Sequence, residues 1–306
     1  PNHQSALLDP ILVGVTCSKK IYSLTRSDVF RKPFLWFLDA MQALPVYRIR
    51  DGYKNLHLNK KTFEICYKLL RDNNSLMIFS EGKHHNEYFL LPISKGSSRI
   101  GFESLKKSPN TKIYLQAVGI NYGSHIHPFH NCTIVYGNPI KLNEYINLYE
   151  KKPVETINKV RFKLENEMKK CLWLPDKSDN YLTKKNIINF NSTKKKFKTL
   201  KNKISHIDLE LINRKKTTIL EKIAIVFFSI FNIFPLVLIN SILKKIKDKV
   251  FHLSIKYLVG IFVFPLWWTI IFWISYCFFS PFRSIVIVFC LVLFLFLRQF
   301  LIIRYK

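Results

Sequence analysis

Apolar and polar positions follow two rhythms along the first 175 residues, and long apolar runs replace them near the end of the chain. Residues 59–72 put Phe63, Cys66, Tyr67 and Leu70 at helical spacing and stop at the breaker Asp72-Asn73-Asn74. Short apolar runs at 75–82, 111–122 and 132–140 read as strands, and 43–52 as a strand running into a turn. Helices are expected at 10–17, where Asp9 suits the N-cap and Pro10 the first turn, at 33–42 as a short buried helix, and at 94–107. Residues 153–173 carry a charged amphipathic helical pattern. Strand and helix in alternation predict an α/β fold: a layered, mostly parallel sheet with flanking helices.

The rhythm is lost after residue 175. Residues 176–219 are rich in Lys, Asn, Ser and Thr and predict a partly ordered basic connector. Three apolar runs follow, 223–243, 257–279 and 284–303, each close to the roughly 20 residues that cross a hydrocarbon core of about 30 Å. Lys244, Lys245, Lys247, Lys249 and Lys256 crowd the loop between the first two. A full crossing by 223–243 would leave one basic region on the wrong side, and Asn232, Pro235 and Asn240 offer places to bend. The expected organisation is a domain at 1–175, a connector at 176–219 and a C-terminal helical membrane region at 220–306. Within that region 223–243 is re-entrant or spanning. Residues 257–279 and 284–303 form a spanning hairpin whose aromatic side chains, Trp267, Trp268 and Trp273 among them, face lipid or pack the pair.

Charge sharpens this. Lys and Arg number 48 against 20 Asp and Glu, a formal net charge of +28, so the expected partner is anionic. With apolar spans in the same chain, an anionic membrane surface is the economical choice. The Lys-rich 184–216 stretch lacks the regular aromatics of a single-strand nucleic-acid platform, and no nucleic acid is expected. Cys17, Cys66, Cys132, Cys171, Cys277 and Cys290 are scattered without a CxxC pair and read as free thiols. Because the chain opens at Pro1, an upstream segment is expected.

Candidate chemistry starts at once, with His3 and Asp9. A near-neutral imidazole suits deprotonation of an alcohol, and a carboxylate on its other nitrogen fixes tautomer and orientation. Residues six apart on one helix point about 240° apart, so the two meet only where the chain bends. The plainer reading leaves Asp9 as a helix cap and His3 as a loop histidine. His84, His85, His125, His127 and His130 include an HxHxxH stretch at 125–130, a plausible metal-ligand cluster by residue type. Ser5 beside His3 lacks the Gly-x-Ser-x-Gly elbow of a serine hydrolase.

The opening NHQSALLDP resembles the first motif of the glycerol-phosphate and 1-acylglycerol-phosphate acyltransferase family, in the form with five residues rather than four between His and Asp. LPVYRIRDG (44–52) resembles the second motif and FSEGKHH (79–85) the third, with Ser80 where proline is usual. LPISKGSSRIGF (91–102) and AVGINY (117–122) resemble the blocks that follow. The resemblance implies His3 as general base, Asp9 as its orienter and Arg48 pairing with the acceptor phosphate. Glu81 and Gly82 would shape the glycerol site, with Arg50, Lys83 and Lys95 as further binding candidates. It implies no metal and no resident cofactor, only acyl-CoA or acyl carrier protein thioester as co-substrate, and so favours headgroup or phosphate contact over a metal at the 125–130 histidines. The expected acceptor is a phosphate-bearing glycerolipid, 1-acylglycerol 3-phosphate first, with glycerol 3-phosphate or dihydroxyacetone phosphate as alternatives. The expected place is a bacterial inner membrane, catalytic domain cytoplasmic. The rivals are a metal-dependent membrane hydrolase and a non-catalytic membrane protein.

Overall fold

The computed structural model describes residues 1–48, 57–192, 196–206 and 218–305. The chain divides into two units, Pro1–Asn121 with Thr133–Asp176, and Tyr122–Cys132 with Lys177–Lys306.

The first unit is built on a parallel sheet of β1 (Ile21–Arg26), β2 (Ala43–Val46) and β3 (Ser75–Met77) in the order β2-β1-β3. Its helices are α1 (Leu8–Thr16), α2 (Leu35–Ala40), α3 (Asn59–Arg71), α4 (Gly96–Lys107), α5 (Ile146–Lys151) and α6 (Pro153–Lys170). The central strand, β1, is one that the apolar pattern did not mark. The residue it buries is Ser23, so the strand leaves no apolar signature.

The run at 111–122 divides into β4 (Tyr114–Leu115) and β5 (Val118–Tyr122), and the run at 132–140 into β6 (Cys132–Tyr136) and β7 (Ile140–Lys141). β4 pairs antiparallel with β7, and β5 pairs with β6. Backbone bonds from Gly123 to Asn131 and from Gly137 to Ala117 bracket that second pair, so its strands also run in opposite directions. Each apolar run thus serves two ladders.

Among the described residues, two clusters pack the interior of this unit. Phe102 of α4 stacks on Tyr149 of α5 with ring centroids 4.4 Å apart, closed in by Leu105, Ile113, Leu142, Ile157 and Val160. Gly101 lets Leu142 approach the helix where any Cβ would collide with it. The Tyr149 hydroxyl donates to Glu103 at 2.6 Å, and burial together with that carboxylate pushes the phenol up to about 12. Ile93, Ala117, Ile140, Leu164, Met168 and Cys171 form the second cluster.

Two local expectations need correction. Helix α1 begins at Leu8, which puts Asp9 inside its first turn rather than at the cap. The segment expected as a buried helix at 33–42 is a 3₁₀ turn, Lys32–Phe34, leading into α2, and of the helical residues only Leu38 is buried.

In the second unit the stretch expected as a partly ordered connector contains α7 (Tyr181–Asn191) and α8 (Phe197–Ser205). Leu200 and Ile204 of α8 and Ile187 and Ile188 of α7 are buried, while Lys198 is exposed and Lys184, Lys185, Lys201 and Lys203 are half-buried. Next come α9 (Ile219–Ile230), α10 (Ile233–Lys245), α11 (Val250–Tyr276) and α12 (Pro281–Tyr305). A capping box between Thr218 and Glu221 starts α9.

Among the described residues two helices are long and apolar enough to cross a membrane, Val250–Tyr276 and Pro281–Ile303, while α9 and α10 meet at a 96° bend. The bend falls at Phe231-Asn232, and Pro235 sits in the first turn of α10 instead of making it. A break in apolar surroundings frees backbone groups that need partners. Trp267 donates to the Phe231 carbonyl at 3.3 Å and Trp268 to the Asn232 side chain at 3.0 Å. The Asn232 amide donates in turn to the Leu291 carbonyl at 2.9 Å. The basic loop is shorter than expected, because α11 starts at Val250 and takes in Lys256.

Candidate active site

The site grows from the first nine residues. Asn2 is fully buried and exchanges two hydrogen bonds with Ile120 of β5, donating at 3.0 Å and accepting at 2.7 Å. Gln4 donates to the Tyr88 carbonyl at 3.1 Å. Between these anchors and α1 the chain turns at Ala6, whose φ of 36° lies in the left-handed region. That turn makes the bend a His/Asp pair six apart requires.

Asp9, with no exposed surface, accepts three hydrogen bonds on one oxygen. They come from the Gln4 amide at 2.8 Å, the Ser5 amide at 2.9 Å and His3 Nδ1 at 2.8 Å. An ionised carboxylate only accepts, so the bond assigns the proton to Nδ1 and leaves Nε2 as the basic nitrogen. Nε2 bonds none of the described residues, and the ring is 18% exposed. The imidazole is fixed on one side and open to a ligand on the other.

A second carboxylate holds the backbone of the same residue. Glu81 accepts from the His3 amide at 2.8 Å on one oxygen, and from the Leu91 amide at 3.0 Å and His85 Nε2 at 2.8 Å on the other. The His85 amide donates to the His3 carbonyl at 3.2 Å. Both backbone groups of His3 are therefore clamped by the loop after β3. Gly82, at φ +68°, turns that loop, and its amide donates to the Phe79 carbonyl at 3.0 Å. Phe79 stacks on the His3 ring at 4.2 Å between centroids, and His84 meets it edge-on at 5.6 Å. Ser80 does what a proline could not, donating from its hydroxyl to Ser97 of α4 at 3.3 Å, while its carbonyl accepts from the Ser94 amide at 2.6 Å.

These hydrogen bonds bring together His3, Asp9, Glu81 and Gly82. Both Glu81 oxygens are engaged within the protein, so this side chain works as a clamp. Arg48 is half-buried two residues past β2. Lys83 is exposed in the Gly82 loop, and Lys95 is exposed at the N-cap of α4. Arg50 lies outside the described residues. Sequence reasoning missed Asn2, Gln4, Phe79 and His85 as members of the site. The four-residue spacing of Glu81 and His85 was a usable signal for an acid–imidazole pair.

Among the described residues no three His, Cys, Asp or Glu side chains gather as a metal set. His127 and His130 face each other at 6.2 Å in the loop between β5 and β6, and His125 packs beside Tyr122 at 5.5 Å.

The family model described as Acyltransferase matches residues 1–121, which hold His3, Asp9, Glu81 and the residues bonded to them. Residues 1–121 are thus similar to an acyltransferase-family domain. Among curated proteins, "Glycerol-3-phosphate O-acyltransferase 2" of Saccharomyces cerevisiae is 29% identical over 112 residues. That match covers 36% of this chain and 15% of the yeast protein. No solved structure matches the chain.

Proposed function

We propose that this acyltransferase-family protein moves a fatty acyl group from a thioester to the hydroxyl of a phosphate-bearing glycerol acceptor at a membrane. The observation that carries the reading is the His3–Asp9 bond at 2.8 Å with Nε2 left open. A thioester is already activated, so a base for the attacking alcohol suffices and no enzyme nucleophile is needed. His3 Nε2 takes the hydroxyl proton as the oxygen bonds to the thioester carbonyl carbon. Buried Asp9 stabilises the imidazolium that forms. Collapse of the tetrahedral intermediate breaks the carbon–sulfur bond, and the imidazolium returns the proton to the leaving thiolate.

Arg48 is assigned to the acceptor phosphate, since a guanidinium fork matches phosphate oxygens, and Lys83 and Lys95 supply diffuse positive charge. Arg50, outside the described residues, stays a further substrate-binding candidate from sequence. The lead acceptor is 1-acylglycerol 3-phosphate. A second reading, glycerol 3-phosphate, is favoured by the name of the yeast relative, a glycerol-3-phosphate O-acyltransferase.

The catalytic unit is assigned to the cytoplasmic face. Lys244, Lys245, Lys247 and Lys249 precede α11, and Arg304 and Lys306 follow the apolar run of α12, whereas residues 277–280 between the two helices hold no Lys or Arg and the first turn of α12 holds Arg283 alone. The test is thiol release by the full chain in proteoliposomes, with both acceptors and with acyl-CoA or acyl carrier protein as donor. Transfer that survives EDTA separates this reaction from a metal-dependent hydrolase. Failure to release thiol with every pairing would sink the reading.

A further inference from the structure

The turn at Lys32–Ala40 presents apolar side chains where a soluble domain hides them. Phe34 is 57% exposed, Leu35 39% and Trp36 72%, three consecutive large residues with Arg31 and Lys32 exposed just before them. Leu38, 7% exposed, roots the segment in the first unit, and Trp36 meets Phe37 edge-on at 5.9 Å. Elsewhere on this unit, exposed residues such as Val154 and Phe162 stand singly, which is ordinary for a protein surface. A consecutive cluster is not ordinary.

Successive residues on a helical turn project about 100–120° apart, so Phe34, Leu35 and Trp36 fan over roughly 200° or more. A flat protein partner covers one side of such a fan. A fluid apolar phase covers all of it. Trp and Phe at the tip with Arg and Lys at the base is the order of chemistry met on descending from headgroups into acyl chains. The cationic base complements an anionic surface. The same chain carries two helices able to span a bilayer, so a bilayer is always at hand.

We infer that Phe34, Leu35 and Trp36 insert into the interfacial layer of an anionic bilayer, with Arg31 and Lys32 on its headgroups, and so give the catalytic unit a lipid contact of its own. The contact would serve acceptors embedded in the bilayer.

The test uses the full chain in vesicles of phosphatidylcholine with about 30% phosphatidylglycerol, with and without brominated acyl chains. Trp36 emission is isolated as the difference between wild type and Trp36→Phe. Bromine is expected to quench that difference signal, and a signal unaffected by brominated lipid overturns the inference. A signal that responds instead to added acyl carrier protein, or to protein concentration, puts a protein on the turn and overturns it as well. In a second arm, Phe34→Ser/Trp36→Ser is expected to lose about tenfold in rate on long-chain acceptor in vesicles and to keep its rate on a short-chain, water-soluble acceptor. Equal losses on both, or no loss on either, count against it. The second arm rests on the proposed acyl transfer. The quenching arm needs no turnover, so failure of one is distinguishable from failure of the other.

Discussion

Both units bury polar side chains, and they use them in opposite ways. In the first, Asp9 and Glu81 each accept three hydrogen bonds and Asn2 makes two, all converging on one loop. The outcome is a rigid frame around one imidazole nitrogen that no described residue bonds. In the second, Asn232, Trp267 and Trp268 close the groups freed by a helix break, and Arg298 Nε donates to Ser229 at 2.7 Å. Lipid supplies no hydrogen bonds, so a membrane network must satisfy itself. Beside water, a network can hold one group ready for substrate, because water fills the place between turnovers. The difference teaches where function is to be sought: at a nitrogen that an otherwise finished network leaves open to solvent.

The largest test of that contrast removes the omitted group. His3→Ala is expected to cut the rate of thiol release by about 10²-fold or more, and Asp9→Asn by 10²–10⁴-fold by disturbing the tautomer. Acceptor KM should move little in both. A His3→Ala protein with wild-type kcat would end the base assignment.

The clamp comes next. His85→Ala strips one donor from buried Glu81, and Glu81→Gln weakens the hold on the His3 amide. Each is expected to lower kcat by about tenfold through misplacement of the base and to cost about 1–3 kcal/mol in stability. His85→Gln keeps a donor and should restore most of the rate. A loss confined to acceptor KM would mean that Glu81 contacts substrate rather than positioning His3.

For the membrane network the expected effect is smaller and falls on stability. Asn232→Leu leaves the Trp268 N–H and the Leu291 carbonyl without their partner, at about 1–2 kcal/mol. Melting in detergent reads it, while kcat on a soluble acceptor should hold. If kcat collapses with it, the two networks are not separate in function.

How far the sequence could carry this follows from what each residue buries. The α/β pattern and the long apolar helices were legible because they bury apolar side chains at regular spacing. β1 was not, because its buried residue is Ser23. The site was half legible. His3 and Asp9 could be matched to a chemistry, but the bend at Ala6 depends on bonds from Asn2, Gln4 and Glu81 that cross as many as 118 residues. The turn at Phe34–Trp36 misled for a related reason. Its apolar run looks like core, and only the surrounding fold shows that nothing covers it.

The smallest effects set the two units apart by pH. In the first unit Tyr149 is raised to about 12 from 10.0 by burial and by the Glu103 carboxylate. The folded state holds that proton harder than the unfolded chain does. Its stabilisation is complete below pH 10.0 and drains away as pH rises through about 12. In the second unit His130 is lowered from 6.5 by burial, and neither ring nitrogen bonds a described residue. There the unfolded chain binds the proton more readily. Stability present above pH 6.5 is lost as pH falls through the folded value. Melting curves should therefore lose an alkaline limb in Tyr149→Phe, together with about 1 kcal/mol from the missing hydrogen bond, and an acid limb in His130→Phe. Exchange of amide hydrogens, read region by region, would show the alkaline loss first around α4 and α5 and the acid loss first in residues 123–131. Acid loosening that begins instead around His3 would mean that the site's own network, rather than the His130 loop, is the first to give way.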